Sequence, residues 1–319
     1  MIQGRQLLRA LVNYAGLALV LGLLVTLFAL STDYFFTWTT FRTIANQIPD
    51  AVILATGMTF VLIIGGIDLS VGSVLALSGA VLGLAMVRWQ LPLPVAVLLC
   101  LGTGALCGVL NGLFVIRWQL PAFIVTLGML EAARGGAYLV TGSKTQYIGA
   151  GMDWISRWSL LGLSLPFLVA MITVITGQLV LTYTPFGRSL YAIGGNEEAA
   201  RLSGIPIGKA KVAVYALCST LSALAAVIYC SRLTAADPNA GSGYELQAIA
   251  AVVIGGTSLM GGRGSVINTL FGVIIIAVLE SGLIQMGAQE PVKRLVTGGI
   301  IVAAVVIDIP LIGANSLVK

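Results

Sequence analysis

Histidine is absent from the 319 residues, which excludes a histidine general base, metal ligand or proton relay. Charge is nearly as scarce. Lys and Arg number 17 and Asp and Glu 12, or 9% of the chain, where a soluble domain carries about 25%. The four cysteines, Cys100, Cys107, Cys218 and Cys230, lie in apolar stretches and form no CxxC, which argues against a zinc site or a redox motif. No GxxxxGK(S/T) phosphate loop occurs: Lys144 follows Ser143, and Gly208-Lys209 is followed by Ala210. The chain therefore does not hold ATP in that manner.

What is present is apolar. Hydrophobic residues make up 58% and mean hydropathy is +1.02, more than one soluble core hides at this length. The composition is that of an integral membrane protein. A net charge of +5 and a pI near 9.1 suit loops at an anionic membrane face and not nucleic acid. Continuously apolar runs exclude an alternating β-barrel pattern. At about 20 residues per crossing, the runs predict ten helical spans: 11–31, 44–64, 71–87, 93–116, 120–140, 161–184, 209–231, 246–261, 265–284 and 293–309. The expected fold is all-α, a polytopic transmembrane helix bundle of about ten spans forming a single domain over 1–319. The first run exceeds a signal-peptide core of 7–15 residues and is expected to be an uncleaved helix. Lys and Arg gather around 185–208, where Arg188 and Arg201 are followed by Lys209 and Lys211. That loop, and with it both termini, is expected to be cytoplasmic.

Glycine is abundant, 39 residues, and unevenly placed. Ile64-Gly65-Gly66-Ile67-Asp68-Leu69 matches Ile254-Gly255-Gly256-Thr257-Ser258-Leu259 at an offset of 190, with Gly72 falling on Gly262. Each copy follows one apolar helix and precedes another. This predicts an internal repeat with two Gly-rich interrupted regions, containing Gly65, Gly66 and Gly72 in one and Gly255, Gly256, Gly261 and Gly262 in the other. Transporters place such breaks beside their pathway. Gly104, Gly108 and Gly112 form a ridge for close helix contact, with Asn111 beside it as interhelical glue or substrate contact.

Asp68 is a carboxylate between apolar helices and needs a cap role, a partner or a wet cavity. Capping by Asp68 or Ser70 and contact with a transported solute are compatible alternatives. Glu131 and Arg134 stand three apart and are expected to neutralise each other. Glu245 and Gln247 are placed near the outer face, and the five tryptophans near span ends. In the 185–208 loop, Asn196 is a good N-cap, Glu197 and Glu198 suit a positive first turn, and Gly204 with Pro206 ends the helix. A two-turn amphipathic helix is predicted there.

Glu198-Ala199-Ala200, followed by Arg201-Leu202-Ser203 and Gly204, resembles the EAA-xxx-G loop of permease subunits of bacterial ABC importers. The similar Glu131-Ala132-Ala133-Arg134 has Ala137 where the glycine should fall. Gly65 to Ser73, Tyr191 to Gly204, and Gly243 to Gly262 together resemble the ribose-type sugar permeases. The resemblance implies a permease in the bacterial inner membrane that works by alternating access and docks a cytoplasmic ABC ATPase through Asn196, Glu197, Glu198, Ala199, Ala200, Arg201 and Gly204. It also implies a second permease copy or paralogue and a periplasmic or lipid-anchored sugar-binding protein. The cargo would be a small neutral sugar or polyol, with no metal in this chain and ATP and Mg on the partner. The pathway candidates are then Asp68, Ser70, Asn111, Glu245 and Gln247. An ion-coupled transporter using Asp68, Glu131 or Glu280, and a permease for nucleosides or branched-chain amino acids, are the alternatives.

Overall fold

The computed structural model describes residues 2–149, 151–289, 291–293, 295–299 and 302, and side chains from residue 15 onward. The helices are α1 (Ile2–Ser31), α2 (Trp38–Gln47), α3 (Pro49–Ile63), α4 (Val71–Val87), α5 (Leu93–Arg117), α6 (Ala122–Thr141), α7 (Asp153–Arg157), α8 (Leu165–Tyr183), α9 (Pro185–Gly195), α10 (Glu197–Leu202), α11 (Ile207–Leu233), α12 (Tyr244–Ile254) and α13 (Val266–Gln285). Among the described residues four two-residue strands accompany them: β1 (Gln146–Tyr147), β2 (Ser159–Leu160), β3 (Leu163–Ser164) and β4 (Ala235–Ala236). β1 pairs antiparallel with β4, and β2 with β3.

The chain is an all-α membrane protein. Among the described residues α5, α6, α8, α11 and α13 are long and apolar enough to cross a membrane, and α2 with α3 makes a sixth if that bent pair counts as one span. The pair bends by 51° because Pro49, at the first position of α3, has no N–H to continue the ladder of α2. The expected span 71–87 coincides with α4, whose 17 residues reach about 25 Å. The expected span 246–261 is corrected: α12 is 11 residues long, about 16 Å, and cannot cross about 30 Å of hydrocarbon. It ends where Gly255 and Gly256 break the helix. The expected tenth span, 293–309, lies mostly outside the described residues.

α11 is the central post, packed on α5, α3 and α4. Every residue of α3 except Ala51 is buried. The glycine ridge of α5 makes the post possible. A β-carbon on Gly108 would meet the Cα of Ala216 at 2.7 Å, and one on Gly112 would meet the Cα of Val212 at 2.7 Å. Large apolar side chains of the outer helices, among them Leu23, Leu98, Leu106, Ile124 and Ile172, face outward as a lipid-facing surface requires. Trp38, Trp89, Trp118, Trp154 and Trp158 are all exposed near helix ends, in the positions of an aromatic belt.

The bundle has two distinct ends. At one, α10 lies beside the end of α5 and the start of α11. At the other, α3 starts where α11 and α13 finish: Arg232 bonds Asp50 at 2.8 Å, and Gln285 donates to Thr40 at 3.2 Å.

The two Gly-rich regions are alike in geometry, but one residue out of the sequence register. At the end of α3, Gly65 N donates to Leu62 O and Gly66 N to Val61 O; at the end of α12, Gly256 N donates to Val253 O and Thr257 N to Val252 O. Each is the same helix stop, with the left-handed position at Gly65 (φ +72°) in one and Gly256 (φ +80°) in the other. The matching positions are therefore 191 apart, because Gly255 still caps α12 in right-handed conformation. Gly72 is not part of a break. It is the second residue of α4, where its missing side chain admits the Gly241 carbonyl, so its alignment with Gly262 is an accident of composition.

Candidate coupling and transport site

α10 is built as its sequence predicts. Asn196 Oδ1 accepts the N–H of Ala199 at 2.9 Å, and Gly204 (φ +78°) closes the helix with Ile205 N donating to Ala200 O at 3.1 Å. Ala200 is buried, while Glu198, Ala199 and Arg201 are exposed and Leu202 is 81% exposed. Glu197 turns back to Lys211 of α11 at 2.7 Å and lies 3.6 Å from Arg201, so it anchors the helix while Glu198 points away.

Behind α10 the glycines meet. Gly262 N donates to Ile63 O at 2.9 Å. A β-carbon on Gly261 would touch Gly65 N at 2.9 Å and Gly194 O at 3.0 Å, and one on Gly262 would touch Gly195 Cα at 3.0 Å. Tyr191 OH of α9 donates to Gly264 O at 2.8 Å. Both breaks and the run-in to α10 thus share one backbone junction, close enough that no side chain fits between them. A cavity of about 630 Å³ opens beside it, bordered by Gly65, Gly66, Tyr215, Glu197, Arg201 and Lys211.

Three of the predicted pathway residues form a single buried network. Asp68 Oδ1 accepts Ser70 N at 2.9 Å and Ser70 Oγ at 2.6 Å, and Asn111 Nδ2 donates to Ser70 Oγ at 3.0 Å. The first two bonds close a turn that leads into α4, which has no side-chain cap of its own, and the third ties that turn to α5. Glu245 is apart from them, its carboxylate beside Gly72. Gln247 faces the opposite side of α12, into a second cavity of about 330 Å³ at the far end. The expected Glu131–Arg134 pair does not form. Arg134 instead donates to the carbonyls of Pro238 at 2.6 Å and Ala240 at 2.8 Å, because the run of turns before α12 leaves these two carbonyls without a backbone donor and within its reach. Glu131 sits within α6, exposed, so the sequence around it is not a docking loop.

A family model described as "branched-chain amino acid transport system / permease component" matches residues 40–305, a stretch that holds the junction, α10 and both breaks. The chain belongs to that permease family. The permease is 42% identical over 269 residues to the ribose import permease protein of Bacillus subtilis (strain 168), covering 82% of each chain. It is 39% identical over 296 residues to the ribose import permease protein of Escherichia coli (strain K12), with 91% of this chain and 92% of that one covered. Against the xylose transport system permease protein of the same strain it is 36% identical, covering 86% and 88%. No solved structure matches.

Sequence reasoning missed several residues that hold the permease together at this site. Lys211 was noticed only as a loop charge, yet it anchors Glu197. Gly194 and Gly195 carried no pattern match of their own. Asp50 and Arg232, a buried carboxylate and its guanidinium, are 182 residues apart, and nothing local links them.

Proposed function

We infer that this permease is the transmembrane subunit of an ATP-driven importer that moves a monosaccharide, ribose or a close relative, into the cell by alternating access. The observation that carries the mechanism is the junction: α10, exposed at its tip, joins through Gly194 and Gly195 to both Gly-rich breaks with no intervening side chain. A push on α10 from a nucleotide-hydrolysing partner therefore reaches α3, α4, α12 and α13 together, since close-packed elements shift as units. The names of the ribose and xylose relatives support a sugar cargo, and a pathway poor in charge suits a neutral one.

In this reading Asn196, Glu197, Glu198, Ala199, Ala200, Arg201 and Gly204 form the ATPase-docking surface, and ATP and Mg reside on that partner. Asp68, Ser70 and Asn111 brace the first break beside the pathway. The membrane helices form an internal repeat in which α12 enters without crossing, with α10 and both termini on the cytoplasmic side of the inner membrane. A second permease copy or paralogue completes the pore, and a sugar-binding protein delivers cargo at the far end. An ion-coupled carrier is not favoured, because the matching family and relatives are permease components of multi-subunit importers.

The test uses the permease reconstituted with its ATPase and binding protein in vesicles. D-ribose uptake is expected to follow ATP supply and to persist when the proton gradient is collapsed. Uptake that tracks the gradient and ignores ATP overturns the assignment. Reversing Glu198 or placing a large side chain at Gly204 is expected to weaken ATPase assembly.

A further inference from the structure

The far-end cavity has no role so far. It lies between α2, α3, α12 and α13 and opens at the end away from α10. Its volume of about 330 Å³ falls in the range of small-molecule sites, about 300–1,000 Å³. Its polar border includes Gln47, Asp50, Tyr244, Gln247, Glu280 and Gln285, and its inner wall is apolar, with Leu54 and Ala251.

The chemistry of that border is selective. Asp50 is almost fully buried and is held by Arg232 at 2.8 Å. Arg232 also donates to Gln47 O at 3.0 Å and lies over the Tyr229 ring, 5.8 Å from its centroid. Its guanidinium is thus engaged and does not offer a site to a phosphate or carboxylate. The side-chain amides of Gln47 and Gln247 bond no other group among the described residues. Each supplies both a donor and an acceptor, which is what a hydroxyl requires, since it too both donates and accepts. Tyr244 is set edge-on against Tyr229, with centroids 6.4 Å apart, and offers an apolar ring with a polar tip. A neutral, hydroxyl-rich ring of C–H and O–H faces fits such a border. An anion or an anionic lipid headgroup would want an unpaired positive charge, which the Arg232–Asp50 pair withholds and the Glu280 carboxylate on the same border disfavours.

We propose that this cleft, bordered by Gln47, Tyr244 and Gln247, is where the permease receives its sugar. The proposal rests on the sugar-importer reading and adds its location. It also gives binding a route to the coupling helix. α12 is a wall of the cleft, its C-terminal stop is the second Gly-rich break, and that break bonds the end of α3 beside Gly194 and Gly195. A sugar that moves α12 moves the junction.

The test places a cysteine in the cleft of the full permease, reconstituted in vesicles with its ATPase and sugar-binding protein. The native cysteines are all buried and give a quiet background. Gln247→Cys and, on a different helix, Thr43→Cys are treated with a membrane-impermeant methanethiosulfonate reagent. Leu160→Cys, at the exposed end of β2, is the control. The expected result is a rise in half-saturation for radiolabelled D-ribose in Gln247→Cys before treatment. Modification should lower uptake at least tenfold at either cleft position, with recovery on reduction, and ATP hydrolysis by the complex should continue. Leu160→Cys should be unaffected. Complete modification at both cleft positions with unchanged uptake overturns the cleft proposal while leaving the importer reading intact. A wild-type complex that imports neither D-ribose nor D-xylose under ATP overturns both.

Discussion

The proposed docking through α10 would depend on a helix of six residues, and helices this short do not hold themselves together. Two local devices set it. The Asn196 side chain satisfies the N–H of Ala199 at 2.9 Å, and replacing such a cap with alanine costs about 1 kcal/mol. Gly204 sits at φ +78°, where an L side chain adds about 1 kcal/mol or more. The Glu197–Lys211 bond adds little to this, because Glu197 is 42% exposed and such pairs contribute about 1 kcal/mol at most. The double variant Asn196→Ala, Gly204→Ala therefore weakens the formed helix by about 2 kcal/mol, or about 30-fold in population. Both residues are exposed, so the bundle itself should unfold at nearly the wild-type temperature. Co-purification of the ATPase and ATP-driven uptake should fall together, each by at least about fivefold, with the single variants in between. A double variant that assembles and transports like wild type would show that α10 is held by the partner and not by its own caps.

Gly108→Leu should be among the most damaging single changes, because the new side chain has only the backbone of α11 to enter. Overpacking of about 1–3 kcal/mol is expected as a lower melting temperature in detergent, and an unchanged one would refute the ridge. Arg232→Met should cost about 3–5 kcal/mol by stranding the buried Asp50, whereas the pair Asp50→Leu, Arg232→Met should recover most of it; a double-mutant thermal unfolding cycle measures this. Asp68→Asn keeps an acceptor for Ser70 N and should retain the wild-type melting temperature, while Asp68→Ala should lower it. Equal stability of the two variants would show that the Asp68–Ser70 turn contributes nothing to the fold. For orientation, Lys144→Cys should react with an impermeant maleimide on intact cells and Ser203→Cys only after permeabilisation, and the reverse pattern would invert the topology.

Much of the permease could be read from local sequence. Apolar runs of the right length marked α4, α5, α6, α8, α11 and α13 to within a few residues, because hydrocarbon solvent demands a continuous apolar helix whatever its neighbours do. Asn196, the acidic first turn and Gly204 marked α10, because helix caps are decided within a few residues of each end. The ridge of α5 was visible as spacing, though its partner on α11 was not.

Tertiary structure decided everything that depends on two distant segments meeting. The sequence match at 190 suggested a repeat, but the register of the two helix stops, one residue further, depends on which glycine of each pair takes the left-handed turn. Arg134 leaves Glu131 because unsatisfied carbonyls at Pro238 and Ala240 come within reach. Gln247 and Glu245, two residues apart, face different spaces because α12 is packed on both sides. The joining of Gly65, Gly194 and Gly262 is a contact among backbones from three parts of the chain, and a sequence can show where side chains are missing but not what comes to occupy the room they leave.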